Sequence, residues 1–233
     1  RGPPGLMNDI AAIRRNAEHL AALVNDVLDL SQVEAGRMAL SRDWVSLEPM
    51  ITAAHSVAKG LFEAKGLYLE CELADDLPLV YCDETRIRQV IINLLGNAGR
   101  FTEQGGVKVC CQQIGREVVI SVADTGLGIA QKDQLRISEP FQQADVSPRR
   151  RHGGSGLGLT ISRQFVEMHG GRMWLESEVG AGTIISFSLP VENPIPAQPN
   201  TISTLRRAIN PDDEIGYRVR TRRTRAPAPN LPE

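Results

Sequence analysis

The sequence predicts an α+β fold, a two-layer α/β sandwich preceded by one long helix. Three observations point to it. Apolar residues between positions 6 and 27 recur in alternating steps of four and three, the period of a helix with one sticky seam. Residues 107–123 alternate apolar and polar side chains on either side of Gly115-Arg116, the pattern of a strand hairpin. The remaining helical and strand patterns are interleaved without a repeating strand-helix unit, which favours helices stacked on one sheet over a doubly wound parallel sheet.

In chain order, Leu6, Ile10, Ile13, Ala17, Leu20, Val24 and Val27 form the seam of the first helix, which closes near Gly36. Arg14, Arg15 and Glu18 lie off that seam. Such a stripe needs either a partner helix or a packing surface on the same chain, and both readings stay open on periodicity alone. An extended stretch at 40–45 follows, then a helix over 47–64 and a strand over 67–73. Asp83 introduces a helix running through Asn97. After the hairpin, a Gly-rich and Arg-rich stretch leads into a helix over 157–169, and two last strands flank the turn Gly180-Ala181-Gly182. The organisation expected is a partial helical region at 1–40, a sandwich domain at 41–192 and a Pro/Arg-rich linker, or the start of a further domain, at 193–233.

Composition narrows the partners. The chain of 233 residues is 42% hydrophobic with a formal charge of -2, so nothing draws it globally to nucleic acid or to an anionic membrane. Seven arginines between Arg206 and Arg225 read as a solvated linker rather than a nucleic-acid contact. No apolar run approaches the roughly 20 residues that cross a bilayer, and the first residues lack the pattern of a secretion signal. Cys71, Cys82, Cys110 and Cys111 have no metal-ligand spacing and read as reduced thiols, in keeping with a cytoplasmic setting.

Four segments carry the chemistry. In Asn93-Leu94-Leu95-Gly96-Asn97-Ala98 two amides stand four residues apart on one helical face while the leucines turn inward. Magnesium accepts hard oxygen ligands alongside water and phosphate, so such an amide oxygen is an adequate ligand. Asp124-Thr125-Gly126-Leu127-Gly128-Ile129 ends an apolar strand, where a carboxylate can accept from an exocyclic amine and glycines let backbone approach a flat base. Gly153-Gly154-Ser155-Gly156-Leu157-Gly158-Leu159 opens a helix, whose exposed N–H groups suit a triphosphate. Between these lie Glu139-Pro140-Phe141 and a basic stretch at 144–152 with Ser147, Arg149, Arg150 and Arg151, which reads as a lid over phosphates. Taken singly, each has an ordinary structural explanation as a cap, a turn or a solvated loop.

In this order the four segments resemble the N box, first glycine box, phenylalanine box and second glycine box of sensor histidine kinases. That family is a branch of the ATPase superfamily that includes gyrase B, MutL and a heat-shock chaperone, with the Bergerat-type ATP-binding sandwich. The run from Arg86 to Asn93, Arg100-Phe101-Thr102, and the stretch from His169-Gly170-Gly171 to Thr183 resemble the kinase branch in particular, and residues 28–36 look like the end of its dimerisation helix pair. The resemblance implies that Asn97 ligates magnesium, with Asn93 and Arg100 at the phosphates or the ion's water shell. It implies that Asp124 receives the adenine amine in a pocket shaped by Gly126 and Gly128, with Thr183 supporting the adenine side. Gly154, Gly156, Leu157 and Gly158 then shape the phosphate edge, and Phe141 and Arg150 belong to the lid hinge and lid. Arg100 stands where the family usually has lysine, which keeps the charge and changes the hydrogen-bond fork.

The implied activity is transfer of the ATP γ-phosphoryl group to a histidine, for relay to a response-regulator receiver domain, in a homodimeric protein. The family's acceptor motif, His-Glu-Leu-Arg-x-Pro, matches none of His19, His55, His152 and His169, so the acceptor is expected outside this sequence and the chain alone is not expected to phosphorylate itself. Two other functions remain in view: an ATP-hydrolysing superfamily member, and a degenerate kinase-like interaction module. Hydrolysing relatives usually place a glutamate base where Asn93 stands, and an amide cannot take that proton.

Overall fold

A computed structural model describes residues 4–134 and 156–191, except the side chains of 4–8, 11, 15, 18 and 19. The first helix, α1 (Pro4–Glu34), ends as expected at Gly36, whose φ of 62° lets the chain turn back. The N–H groups of Arg37 and Met38 both return to the Gln32 carbonyl, at 2.9 and 3.2 Å. Most of the α1 seam is open: Ile13 is 67% and Leu20 61% exposed. Only its last turns meet the body, where Leu30 is buried and Arg86 Nη1 donates to Asp29 Oδ2 at 2.9 Å. Among the described residues the seam has no partner helix.

The body contains β1 (Asp43–Val45), α2 (Leu47–Glu63), β2 (Tyr68–Leu73), β3 (Val80–Cys82), α3 (Glu84–Phe101), β4 (Gly106–Ile114) and β5 (Glu117–Asp124). A one-turn α4 (Gln131–Gln134), then α5 (Gly158–Met168), β6 (Met173–Glu178) and β7 (Gly182–Pro190), complete it. Five strands form one sheet in the order β2-β4-β5-β7-β6, and β1 pairs with β3 apart from it. Only the β2–β4 pair in the large sheet is parallel. The predicted sandwich and the hairpin across Gly115-Arg116 are both present.

Strand alternation explains the two layers. Val118, Ile120 and Val122 of β5, with Phe187 and Leu189 of β7, enter the core shared with Ile87, Ile91, Leu94 and Phe165 of the helices. The intervening residues face the other way, where Cys110, Ala123 and Ile184 form a small separate cluster and the Ser121 and Ser186 hydroxyls meet at 2.8 Å. Cys110 and Cys111 accordingly sit on opposite faces, and burial pushes the Cys110 thiol up to about 12, which keeps it protonated. No helix among the described residues is long and apolar enough to cross a membrane.

One boundary differs from expectation. Helix α3 runs on to Phe101 rather than stopping at Asn97. Gly99 lies in the added turn, where a Cβ would stand 2.9 Å from Phe62 Cζ. Glycine is there so that α2 and α3 can touch, and the helix continues through it. Its start is capped by Asp83, whose Oδ1 accepts from Arg86 N–H at 3.1 Å while Oδ2 accepts from Ser41 N–H at 2.9 Å.

The end of α5 is tied to the start of α3. Asp83 N–H donates to His169 Nε2 at 2.9 Å, and His169 Nδ1 donates to the Phe165 carbonyl at 2.6 Å. These contacts fix the imidazole as the neutral Nδ1–H tautomer. Because the middle of α3 also meets the beginning of α5, the two helices run antiparallel.

Candidate functional site

Helix α3 organises the site. Asn93, Asn97 and Arg100 fall at intervals of four and three, so they share one half-buried face while Leu94, Leu95 and Ala98 point into the core. The longer α3 is what puts Arg100 on that face. Its guanidinium has no carboxylate partner among the described residues.

At one end this face meets the opening turn of α5. Asn93 Nδ2 donates to Ser162 Oγ at 2.9 Å, which leaves the amide oxygen, an acceptor, against Gly158 one turn earlier on α5. A Cβ on Gly158 would collide with that oxygen, so glycine is required for α5 to begin against α3. Gly156 precedes it with φ 69°. Leu157 buries its side chain in the core at 1% exposure, so any part it plays at a phosphate edge falls to its backbone.

At the other end, the C-terminus of α3 meets the loop after β5. A Cβ on Gly126 would stand 2.6 Å from the Phe101 carbonyl oxygen and 2.7 Å from Asp124 Oδ1. Gly128 has φ 68° and presses against the Glu178 carbonyl, so a side chain fails there on both conformation and space. Asp124 is 8% exposed, and its Oδ1 accepts from Gly126 N–H at 2.8 Å. Burial pushes its carboxyl up to about 6, against the opposing pull of the Gly126 and Thr183 N–H groups. Thr183 lies directly across from Asp124 in the β5–β7 ladder, on the same face of the sheet.

Asn93, Asn97, Arg100, Asp124, Gly126, Gly128, Gly156, Leu157, Gly158 and Thr183 therefore converge along the C-terminal half of α3, although they are spread over about 90 residues of sequence. Phe141, Arg150 and Gly154, and with them the whole basic stretch read as a lid, lie outside the described residues. Two residues that motif reading passed over hold the site together. Ser162 anchors Asn93. Ser177 accepts from Ile129 N–H at 2.8 Å and contacts Thr183 Oγ1 at 2.8 Å. Both were within reach of arithmetic: Ser162 is one helical turn beyond Gly158, and the turn at 180–182 pairs Ser177 with Thr183.

A mixed sheet backed by helices, with asparagines on one helix and a glycine turn at either end of the face they share, is an arrangement suited to a nucleotide. Residues 82–193 match the family of histidine kinase-, DNA gyrase B- and HSP90-like ATPases, and this stretch of the chain is a domain of that family. The chain is similar to sensor histidine kinases that carry this domain. It is 40% identical over 194 residues to the circadian input-output histidine kinase CikA of Synechococcus elongatus, covering 82% of this chain and 26% of that protein. It is 39% identical over 188 residues to the autoinducer 2 sensor kinase/phosphatase LuxQ of Vibrio cholerae, covering 78% of this chain and 22% of that protein. The crystal structure of full-length ShkA in complex with AMPPNP superposes with a TM-score of 0.72 at 32% identity, over 88% of this chain and 42% of that one. The chain thus spans about a quarter of the length of these curated relatives.

Proposed function

We propose that residues 41–192 bind Mg·ATP and, within a longer sensor kinase, deliver its γ-phosphoryl group to a histidine outside this sequence, from which it passes to a response-regulator receiver domain. The observation that carries this is the convergence, along α3, of the Asn93–Asn97–Arg100 face with the glycine turn of α5 at one end and the Asp124–Thr183 edge at the other.

In this reading Asp124 accepts the adenine amine, Gly126 and Gly128 let the base lie close to backbone, and Thr183 completes that edge. The amide oxygen of Asn97 is the magnesium ligand, and the oxygen of Asn93, which lies against Gly158 at the opening turn of α5, serves the ion's water shell or the phosphates. Neutral amide oxygens beside an arginine suit an ion that arrives already bound to phosphate. Magnesium supplies charge neutralisation at the phosphates when bound. Arg100 adds a fixed positive charge, and the N–H groups of the turn at Gly154, Gly156, Leu157 and Gly158 line the phosphate edge. Phe141 and Arg150 belong to the lid. An imidazole nitrogen from the acceptor attacks the γ-phosphorus in line, the bond to the β–γ bridging oxygen breaks, and ADP leaves. Water is a poor competitor because Asn93 offers no base to take its proton.

The open seam of α1 fits the second helix of a dimerisation and phosphoacceptor region at residues 1–40, completed by helices outside this sequence in a homodimer. The setting proposed is the cytoplasm, whether or not the longer protein is membrane-anchored. Incubation of the chain with γ-labelled ATP is expected to give no acid-labile phosphohistidine, whereas adding the phosphoacceptor segment of the longer protein in trans labels a histidine there. High-stoichiometry labelling of the chain alone would contradict the assignment of an external acceptor.

A further inference from the structure

Ser177 Oγ makes three hydrogen-bonded contacts whose directions can be worked out one by one. It accepts from Ile129 N–H at 2.8 Å, donates to the Gly182 carbonyl at 2.9 Å, and meets Thr183 Oγ1 at 2.8 Å. A serine hydroxyl has one proton; an amide N–H can only donate and a carbonyl can only accept. The Ser177 proton is therefore committed to Gly182, and its contact with Thr183 is made with Thr183 as donor. Thr183 also has a single hydroxyl proton, which this contact uses. Only lone pairs remain on Thr183 Oγ1, in the 6% exposed position across the ladder from Asp124. An ionised carboxylate is likewise acceptor-only.

We propose that Ser177 is a positioning residue for purine selectivity: by taking the Thr183 proton it makes the Asp124–Thr183 edge a pure hydrogen-bond acceptor, which receives the 6-amino group of adenine and rejects a 6-oxo purine. This rests on the reading of Asp124 and Thr183 as the adenine edge. The chemistry of rejection is electrostatic. A 6-oxo group brings lone pairs against lone pairs in a buried place, and a buried acceptor without a donor is penalised more than a good pair is rewarded. If the Thr183 hydroxyl were free to turn, it could donate to that oxygen and the penalty would fall. Ser177 touches the bound base in neither case; it acts through the direction of one proton.

The test measures dissociation constants of Mg·ATP and Mg·ITP by calorimetry for the full chain, Ser177→Ala, Thr183→Val and the double variant, with each fold checked by circular dichroism. The wild type is expected to prefer ATP. Ser177→Ala releases the Thr183 proton, so the preference for ATP over ITP should fall by about fivefold to tenfold, the worth of one reversed hydrogen bond. Thr183→Val should also reduce the preference, and on that background Ser177→Ala should change it no further. Equal weakening of both nucleotides by Ser177→Ala overturns the proposal, as does a Ser177→Ala effect that persists undiminished beside Thr183→Val. If Ser177→Ala does not fold, Thr183→Val decides: an unchanged ratio overturns the proposal and a reduced one supports it. A folded wild type that binds neither nucleotide overturns the nucleotide reading and this inference with it.

Discussion

Replacing Asp124 with asparagine should stabilise the empty protein while removing its nucleotide binding. The carboxyl is 8% exposed, and burial raises its pKa from 3.8 to about 6, even though the Gly126 and Thr183 N–H groups favour the charged form. Its folded pKa lies above its unfolded one, so across that window the native state holds a proton that the unfolded state has released. Stability therefore falls as pH rises from about 4 to about 6 and is level above that. A rise of that size corresponds to at most about 3 kcal/mol. Asparagine keeps an oxygen for the Gly126 N–H and carries no charge to desolvate, so Asp124→Asn should recover up to about 3 kcal/mol at neutral pH. Urea denaturation of both proteins from about pH 4 to pH 7.5 measures it, with the gap widest above pH 6 and closing toward pH 4. Nucleotide binding should be lost throughout, because the amide offers an oxygen without the charge and places an NH₂ donor beside the adenine amine. A variant no more stable than wild type at pH 7.5, or a gap that ignores pH, would refute the assignment of a buried, desolvated carboxylate.

Three further outcomes follow from individual contacts. Ser162→Ala removes the acceptor of Asn93 Nδ2 and should weaken Mg·ATP binding by about fivefold to tenfold in calorimetry, with a small change in melting temperature. Gly99→Ala forces a methyl group against Phe62, and its overpacking cost of about 1–3 kcal/mol should exceed the roughly 1 kcal/mol gained in helix propensity, lowering the melting temperature. His169 has its pKa lowered, chiefly by burial, so its contribution to stability is complete above its ordinary 6.5 and is lost as pH falls through the folded value. A His169→Gln variant should lack that acid-side slope in denaturation curves.

The sequence made the sandwich legible because its signals were local and strong: period two through β4 and β5, a capping aspartate at the head of α3, and glycines about the last turn. It hid β3, whose three residues are too few to show a period, and the end of α3, where glycine serves close packing rather than termination. Asn93, Asp124 and the glycines could be nominated from spacing and resemblance, since each is a distinctive residue in a distinctive local pattern. Ser162, Ser177 and His169 are less distinctive in the sequence, because their contacts with Asn93, Ile129 and Asp83 form only when distant segments fold together. The raised carboxyl of Asp124 has the same origin, for desolvation is a property of the packed sheet end and not of the strand that carries the residue.

The account stands most directly on calorimetric titration of the full chain with ATP, with and without magnesium, alongside Asn97→Ala and Asp124→Ala. It predicts saturable binding by the wild type, loss of binding with Asp124→Ala, and weaker binding with a blunted magnesium dependence for Asn97→Ala. A folded wild type that binds no ATP, or binding that neither substitution alters, would contradict it.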